Sequence, residues 1–145
     1  MYKFVKQYSG NLESLLSLVP QLSPSPGGTG YTCTEPRFTH DVYYPFLKDI
    51  FPGTWTRCFL AIVWPNGSIM PHYGGGEVIA DKSQRYHLVL QTNQDCWSMS
   101  ANDWQQLQAG GIYAFNPRMV HASINWGKEW RVHFAVDIDQ SHLGG

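Results

Sequence analysis

Five side chains in this sequence have the types and spacing to build a site for a metal ion and an anion: His72, His121, Arg85, His87 and Arg131. His72 follows Pro71 at the end of a strand-like run and precedes three glycines, and His121 follows the loop Asn116-Pro117-Arg118. Both lie at strand margins, where the mouths of barrels place their ligands. Two imidazoles from separate strands are part of a common non-haem iron site, which a carboxylate usually completes. That carboxylate normally stands two residues after the first histidine, and here the position is Gly74. Glu77 and Asp81 are the nearby acids that would substitute for it, with water as the alternative. A single histidine at a strand end is more often structural, so it is the pair together with the arginines that points to a site.

The arginines sit in alternating runs. Arg131, His133 and Ala135 alternate with Trp130, Val132, Phe134 and Val136, and Arg85, His87 and Val89 alternate with Tyr86, Leu88 and Leu90. Period-two alternation puts each set on one face of a strand. An arginine that points into a barrel is costly unless it meets an anion. A small dicarboxylate would serve, because guanidinium holds carboxylate through two parallel hydrogen bonds. An internal acid, Glu77 or Asp137, would serve Arg131 equally well. His133 shares the inward face and reads as a packed histidine. Trp64, Tyr73 and Trp126 are candidate walls of a substrate pocket.

The elements that must position these groups follow from local signals. Tyr2 to Val5 reads as a short edge strand. Asn11 caps a helix carrying Leu12, Leu15, Leu16 and Val19 at helical spacing, and Pro20 stops it. Ser23 to Gly30 (SPSPGGTG) is a loop by composition. Asp41 to Phe51 reads as a second helix with Asp41 as its cap and Pro52-Gly53 as its end. Strands are expected at Trp55 to Trp64, Ser68 to Met70, Gln84 to Thr92, Cys96 to Met99, Ile112 to Phe115, Val120 to Ile124 and Arg131 to Asp137. Helices followed by short strands with turn signals predict a mainly β chain: a sandwich or open barrel of the jelly-roll kind, with one or two N-terminal helices packed outside. The expectation is one domain over 1–145, with 1–53 as helical support and 54–138 as the β core.

Composition narrows the partners. Apolar residues make up 43% of 145 residues, enough for a real core, and the formal net charge is −1. The basic residues are scattered, which argues against nucleic acid and anionic membrane as partners. Cys33, Cys58 and Cys96 form no CxxC pair and are read as reduced, mostly buried thiols. No apolar signal core or membrane-length stretch is present, so a cytoplasmic location is expected.

Five motifs in order, His-Tyr-Gly (72–74), Arg-Tyr-His (85–87), Gly-Gly-Ile-Tyr-Ala-Phe-Asn (110–116), Val-His-Ala-Ser-Ile-Asn (120–125) and Arg-Val-His-Phe-Ala-Val-Asp (131–137), resemble the aspartyl/asparaginyl β-hydroxylases, a family of 2-oxoglutarate- and iron(II)-dependent oxygenases that includes free-proline hydroxylases. The resemblance spans roughly Gly67 to Asp137. It implies a cupin-like double-stranded β-helix in which His72 and His121 bind iron(II). Arg131 would take the distal carboxylate of the 2-oxoglutarate co-substrate, with Arg85 and His87 holding its other end. The His-x-Gly spacing is like that of members which bind iron through two histidines and water. The implied reaction is hydroxylation of an Asp, Asn or Pro side chain, in a polypeptide or as the free amino acid. The alternative is a non-catalytic jelly-roll module that retains a dicarboxylate or metal pocket.

Overall fold

Two antiparallel sheets face one another, and two helices cover the outer side of the larger sheet. The computed structural model describes residues 1–20, 22, 30–72 and 83–140. The elements are β1 (Lys3–Gln7), α1 (Leu12–Leu16), β2 (Tyr31–Cys33), α2 (Pro36–Leu47), β3 (Trp55–Val63), β4 (Ser68–His72), β5 (Ser83–Gln91), β6 (Cys96–Ser100), β7 (Asp103–Gln105), β8 (Gly111–Phe115), β9 (His121–Asn125) and β10 (Arg131–Asp139). The larger sheet has the order β1-β8-β5-β10-β3-β2 and the smaller β4-β9-β6-β7. This is the expected double-stranded β-helix of cupin type. Among the described residues, no helix is long and apolar enough to cross a membrane.

Side-chain parity divides the large sheet into two chemistries. Even-numbered residues of β3, β5 and β10 (Cys58, Leu60, Ile62; Leu88, Leu90; Val132, Phe134, Val136) form the main core with Leu15, Val19, Tyr43, Leu47 and Phe51. Odd-numbered residues of the same strands face the smaller sheet, and they include Arg57, Arg85, His87, Arg131, His133 and Asp137. The apolar face therefore supplies the stabilising burial, while the opposite face is free to carry polar groups that the core would exclude.

The helices differ from the sequence reading at one end. The second helix starts at Pro36 and not at Asp41, because Glu35 caps it, its carboxylate accepting from the backbone N–H groups of Arg37 and Phe38. A proline at the first helical position costs no hydrogen bond, which makes this the better start. Pro45 then falls inside the helix, where its cost is offset by burial of Tyr43 and Leu47 on either side. Tyr43 donates its hydroxyl to the Leu15 carbonyl at 3.0 Å and ties the two helices together. Asn11 caps α1 as expected, accepting from Ser14 N–H. The three-residue strand β2 has no counterpart in the sequence reading. The proposed loop at Ser23 to Gly30 falls, apart from Gly30, outside the described residues.

Gly30 and Gly67 bring β2 against the turn that opens β4. A Cβ on Gly30, whose φ is +84°, would lie 2.5 Å from the Gly67 Cα, so neither position has room for a side chain. At the far end of β9, Asn125 holds the turn into β10. Its Nδ2 donates to the Val63 and Glu129 carbonyls at 3.0 and 2.8 Å, and its Oδ1 accepts from Gly127 N–H at 2.9 Å. Asn125 is fully buried and links the two sheets just where His121 and Arg131 must be kept in register. Replacing it leaves several buried polar groups unpaired. Asn125→Leu is expected to lower unfolding free energy by about 2–4 kcal/mol in urea titrations. A loss below about 1 kcal/mol would show that water or another group replaces these bonds.

Candidate functional site

All five side chains singled out for their chemistry line one cavity of about 240 Å³ between the sheets. His72 and His121 come from cross-strand partner positions on β4 and β9. A register shift in β4 between Ile69 and His72 contains Pro71, which has no N–H to give the ladder, and the shift re-aims the strand end. The two imidazole centroids are 4.2 Å apart, at 55°. Each ring makes the same local contact: Nδ1 of His72 meets the Met70 carbonyl at 2.8 Å, and Nδ1 of His121 meets the Met119 carbonyl at 2.8 Å. A carbonyl only accepts, so both Nδ1 atoms carry the proton and both Nε2 atoms keep a lone pair. This is the tautomer that metal-ligating histidines have when a second group orients them. Burial, with the Arg85 charge nearby, pushes the His121 pKa down against the opposing bond to Met119, which favours the neutral ring a metal needs.

The arginines divide their roles through register. Arg85 and Asp137 are cross-strand partners, and their side chains pair through two bonds, Nε to Oδ1 at 2.7 Å and Nη2 to Oδ2 at 2.9 Å. Of the two acids weighed for Arg131, Asp137 thus belongs to Arg85, and Glu77 lies outside the described residues. This also changes the expectation for Arg85 itself, since a fork engaged with Asp137 is a charged wall more than a free ligand. Arg131 is 2% exposed and donates from Nη1 to Ser123 Oγ at 2.8 Å. Its Nε and Nη2 are buried and have no hydrogen-bond partner among the described residues. Burial lowers the Arg131 pKa, partly offset by its neighbours Tyr2, Cys96 and Cys33, yet a guanidinium keeps its charge in proteins. Two donors of a buried cation without a partner among the described residues have the chemistry to take an anion.

His87 meets His133 Nδ1 to Nδ1 at 3.0 Å, so one ring donates and the other accepts. Burial, then the Arg131 charge, pushes both pKa values well below the ordinary histidine range. His133 does not line the cavity; it fixes His87 from behind, as the packed reading anticipated.

The walls are not those proposed from sequence. Trp64 is even-numbered on β3's continuation, so it turns to the helix side and stacks on Trp130 at 5.0 Å. Trp126 is 69% exposed in the turn after β9. Neither lines the cavity, and Tyr73 lies outside the described residues. The aromatic walls are Tyr2, Tyr31, Phe59 and Phe115. Phe59 could have been found from parity with Arg57, and Ser123 from its place two residues after His121. Tyr2 carried no such signal. Of the thiols, Cys58 and Cys96 are buried, but Cys33 is exposed and borders the cavity.

Among the described residues, no three His, Cys, Asp or Glu side chains cluster as a complete metal site. Glu77 and Asp81 lie outside that set. The two Nε2 lone pairs on preset rings still have the donor chemistry of an iron(II) site, with further positions left to water or a chelating ligand.

The neutral histidines make stability depend on pH. In the unfolded chain, His87 and His133 gain protons as pH falls through about 6.5, and in the folded chain they do not. Stability is therefore full above that pH and falls below it, by about 1.4 kcal/mol per pH unit for each ring kept neutral. Urea midpoints measured between about pH 7.5 and about pH 5.5 are expected to drop accordingly; a flat profile would contradict the buried neutral pair.

Comparison with known proteins shows the family. Residues 44–141 match the family model described as aspartyl/asparaginyl beta-hydroxylase. No protein of curated function matches the chain. Among solved structures, the Cupin 2 domain of an XRE family transcriptional regulator from Enterobacter cloacae is 11% identical, covers 75% of this chain and 96% of that one, and has a TM-score of 0.49. A Cupin 2 conserved barrel domain protein from Salinispora arenicola is 13% identical over 87% of this chain and 94% of its own, with a TM-score of 0.47. A Photorhabdus luminescens protein is 14% identical, covers 59% of this chain and 63% of its own length, and has a TM-score of 0.46, so this chain spans less than two thirds of it. The family match takes in β3 to β10 and with them His72, Arg85, His87, His121 and Arg131, and the chain belongs to the aspartyl/asparaginyl β-hydroxylase family.

Proposed function

We propose that this protein is a 2-oxoglutarate- and iron(II)-dependent dioxygenase that hydroxylates an Asp, Asn or Pro type of amino-acid side chain, free or within a polypeptide. The observation that carries this reading is the buried Arg131 guanidinium, with two unpartnered donors, in the same cavity as two imidazoles that present Nε2 lone pairs. His121 and Ser123 are two residues apart on β9, about 7 Å by strand rise, and Arg131 is bonded to Ser123. A short diacid can bridge that span, with one end at the histidines and the other on the guanidinium.

His72 and His121 are the residues to hold iron(II), and water or an acid outside the described residues would complete its shell. When bound, iron(II) with 2-oxoglutarate and dioxygen supplies the oxidising equivalents for a C–H to C–OH conversion, with succinate and carbon dioxide as the other products. The protein's own contribution is placement. Arg131 and Ser123 bind the distal carboxylate by charge-assisted hydrogen bonds. His87, held by His133, faces the cavity as a neutral hydrogen-bonding group. Phe59 and Phe115 keep bulk water away from the reacting centre. Arg85, neutralised by Asp137, lends a polar wall without a free charge. At about 240 Å³ the cavity is small, which suits a compact side chain beside the co-substrate.

The test begins without oxygen. Iron(II) and 2-oxoglutarate added to the purified protein should give the weak visible charge-transfer absorption of a chelated 2-oxo acid, and admission of oxygen with a substrate should give succinate. His121→Ala is expected to abolish the band. No band and no succinate with any candidate amino acid or peptide would overturn the enzyme reading. Binding of both groups without turnover would leave the binding-module alternative.

A further inference from the structure

We infer that Tyr2 is a positioning residue for the co-substrate: its hydroxyl joins Arg131 and Ser123 as a donor to the distal carboxylate. This rests on the proposed function and extends it to a residue outside the matched family region, which begins at residue 44.

Tyr2 precedes β1, and its ring lines the cavity with only 4% of the residue exposed. The ring packs on Phe115 at 4.6 Å and meets His87 at 6.1 Å, edge to face. Its backbone is pinned by a reciprocal pair: Tyr2 N–H donates to Gln105 Oε1 at 2.8 Å, and Gln105 Nε2 donates to the Tyr2 carbonyl at 3.2 Å. Such double anchoring fixes where the ring points. No described residue accepts from or donates to its hydroxyl, whereas the buried Tyr43 hydroxyl has a carbonyl partner. The Tyr2 oxygen is not among the fully buried unpartnered atoms, so it opens onto the cavity that its ring lines. Here it lies on the same cavity as the two unpartnered donors of Arg131.

Burial holds the Tyr2 pKa up at about 12 even against the charges of Arg131 and Arg85, so the hydroxyl stays a neutral donor. A neutral O–H on the same cavity as a guanidinium suits a carboxylate, which only accepts. The N-terminal segment thus supplies both the closing edge of the large sheet, through β1 on β8, and one group of the anion site.

The experiment uses the metal-free protein and glutarate as the probe, measured by titration calorimetry together with thermal melts. Tyr2→Phe keeps the ring and removes only the hydroxyl. It is expected to weaken glutarate on the order of tenfold, the size of one hydrogen bond to a charged group, while the ligand-free melting temperature stays the same or rises. A purely structural Tyr2 would show the reverse, a lower melting temperature with glutarate affinity retained, and that result overturns the inference. Arg131→Ala is run beside it. If Arg131→Ala loses glutarate and Tyr2→Phe binds like the parent protein, Tyr2 has no such role and the proposed function stands. If Arg131→Ala also binds like the parent, the anion site itself is misassigned and both fall.

Discussion

A buried guanidinium with one protein partner is the constraint around which the rest of this structure is arranged. Among the described residues, Arg131 is one of the largest fully buried side chains, and Ser123 satisfies just one of its nitrogens. Burying an uncompensated cation costs several kcal/mol or more. The fold meets that cost through the opposite face of the same strands, where Val132, Phe134 and Val136 are fully buried among the helices and neighbouring strands. One strand therefore carries the stabilising core on its even positions and the unfavourable charge on its odd ones. On the proposed function, the arrangement is retained because the anion that Arg131 meets is the co-substrate.

The neighbouring groups show how register separates structural charge from functional charge. Asp137 stands opposite Arg85 across the β5–β10 ladder, and the resulting pair is satisfied in both directions. Arg131 is opposite Val63 and has no acid in reach on that ladder. The two arginines look equivalent as residues, and the ladder separates them: Arg131 lies on the same strand as Asp137, six residues away, whereas Arg85 faces it from β5. The same logic governs the histidines. His87 and His133 satisfy one another, while among the described residues His72 and His121 each bond to a local carbonyl through Nδ1, which leaves Nε2 to the cavity.

Much of this was legible in the chain. Period-two alternation places Arg85 with His87 and Arg131 with His133, and the structure keeps those faces. The spacing of His72 and His121 put both at strand ends, and they meet as cross-strand partners. What alternation does not encode is which strand pairs with which, so Asp137 was free on paper to serve either arginine. Trp64 misled because a large aromatic near a strand end resembles a pocket wall, and its parity assigns it to the helix side instead. The start of α2 was displaced because Asp41 is a good cap by type, although Glu35-Pro36 makes a better one in place. Tyr2 reaches the site through pairing with residues more than 100 positions away, a contact that no local pattern carries.

The central claim is that Arg131 is kept for a ligand and not for the fold. Thermal unfolding of Arg131→Met, with and without 2-oxoglutarate, tests it most directly. Replacing an unsatisfied buried charge by an apolar side chain of similar length should raise the ligand-free stability by about 1–4 kcal/mol, and the ligand-induced rise in melting temperature should vanish. A variant that is less stable than the parent, yet still stabilised by 2-oxoglutarate to the same degree, would contradict it.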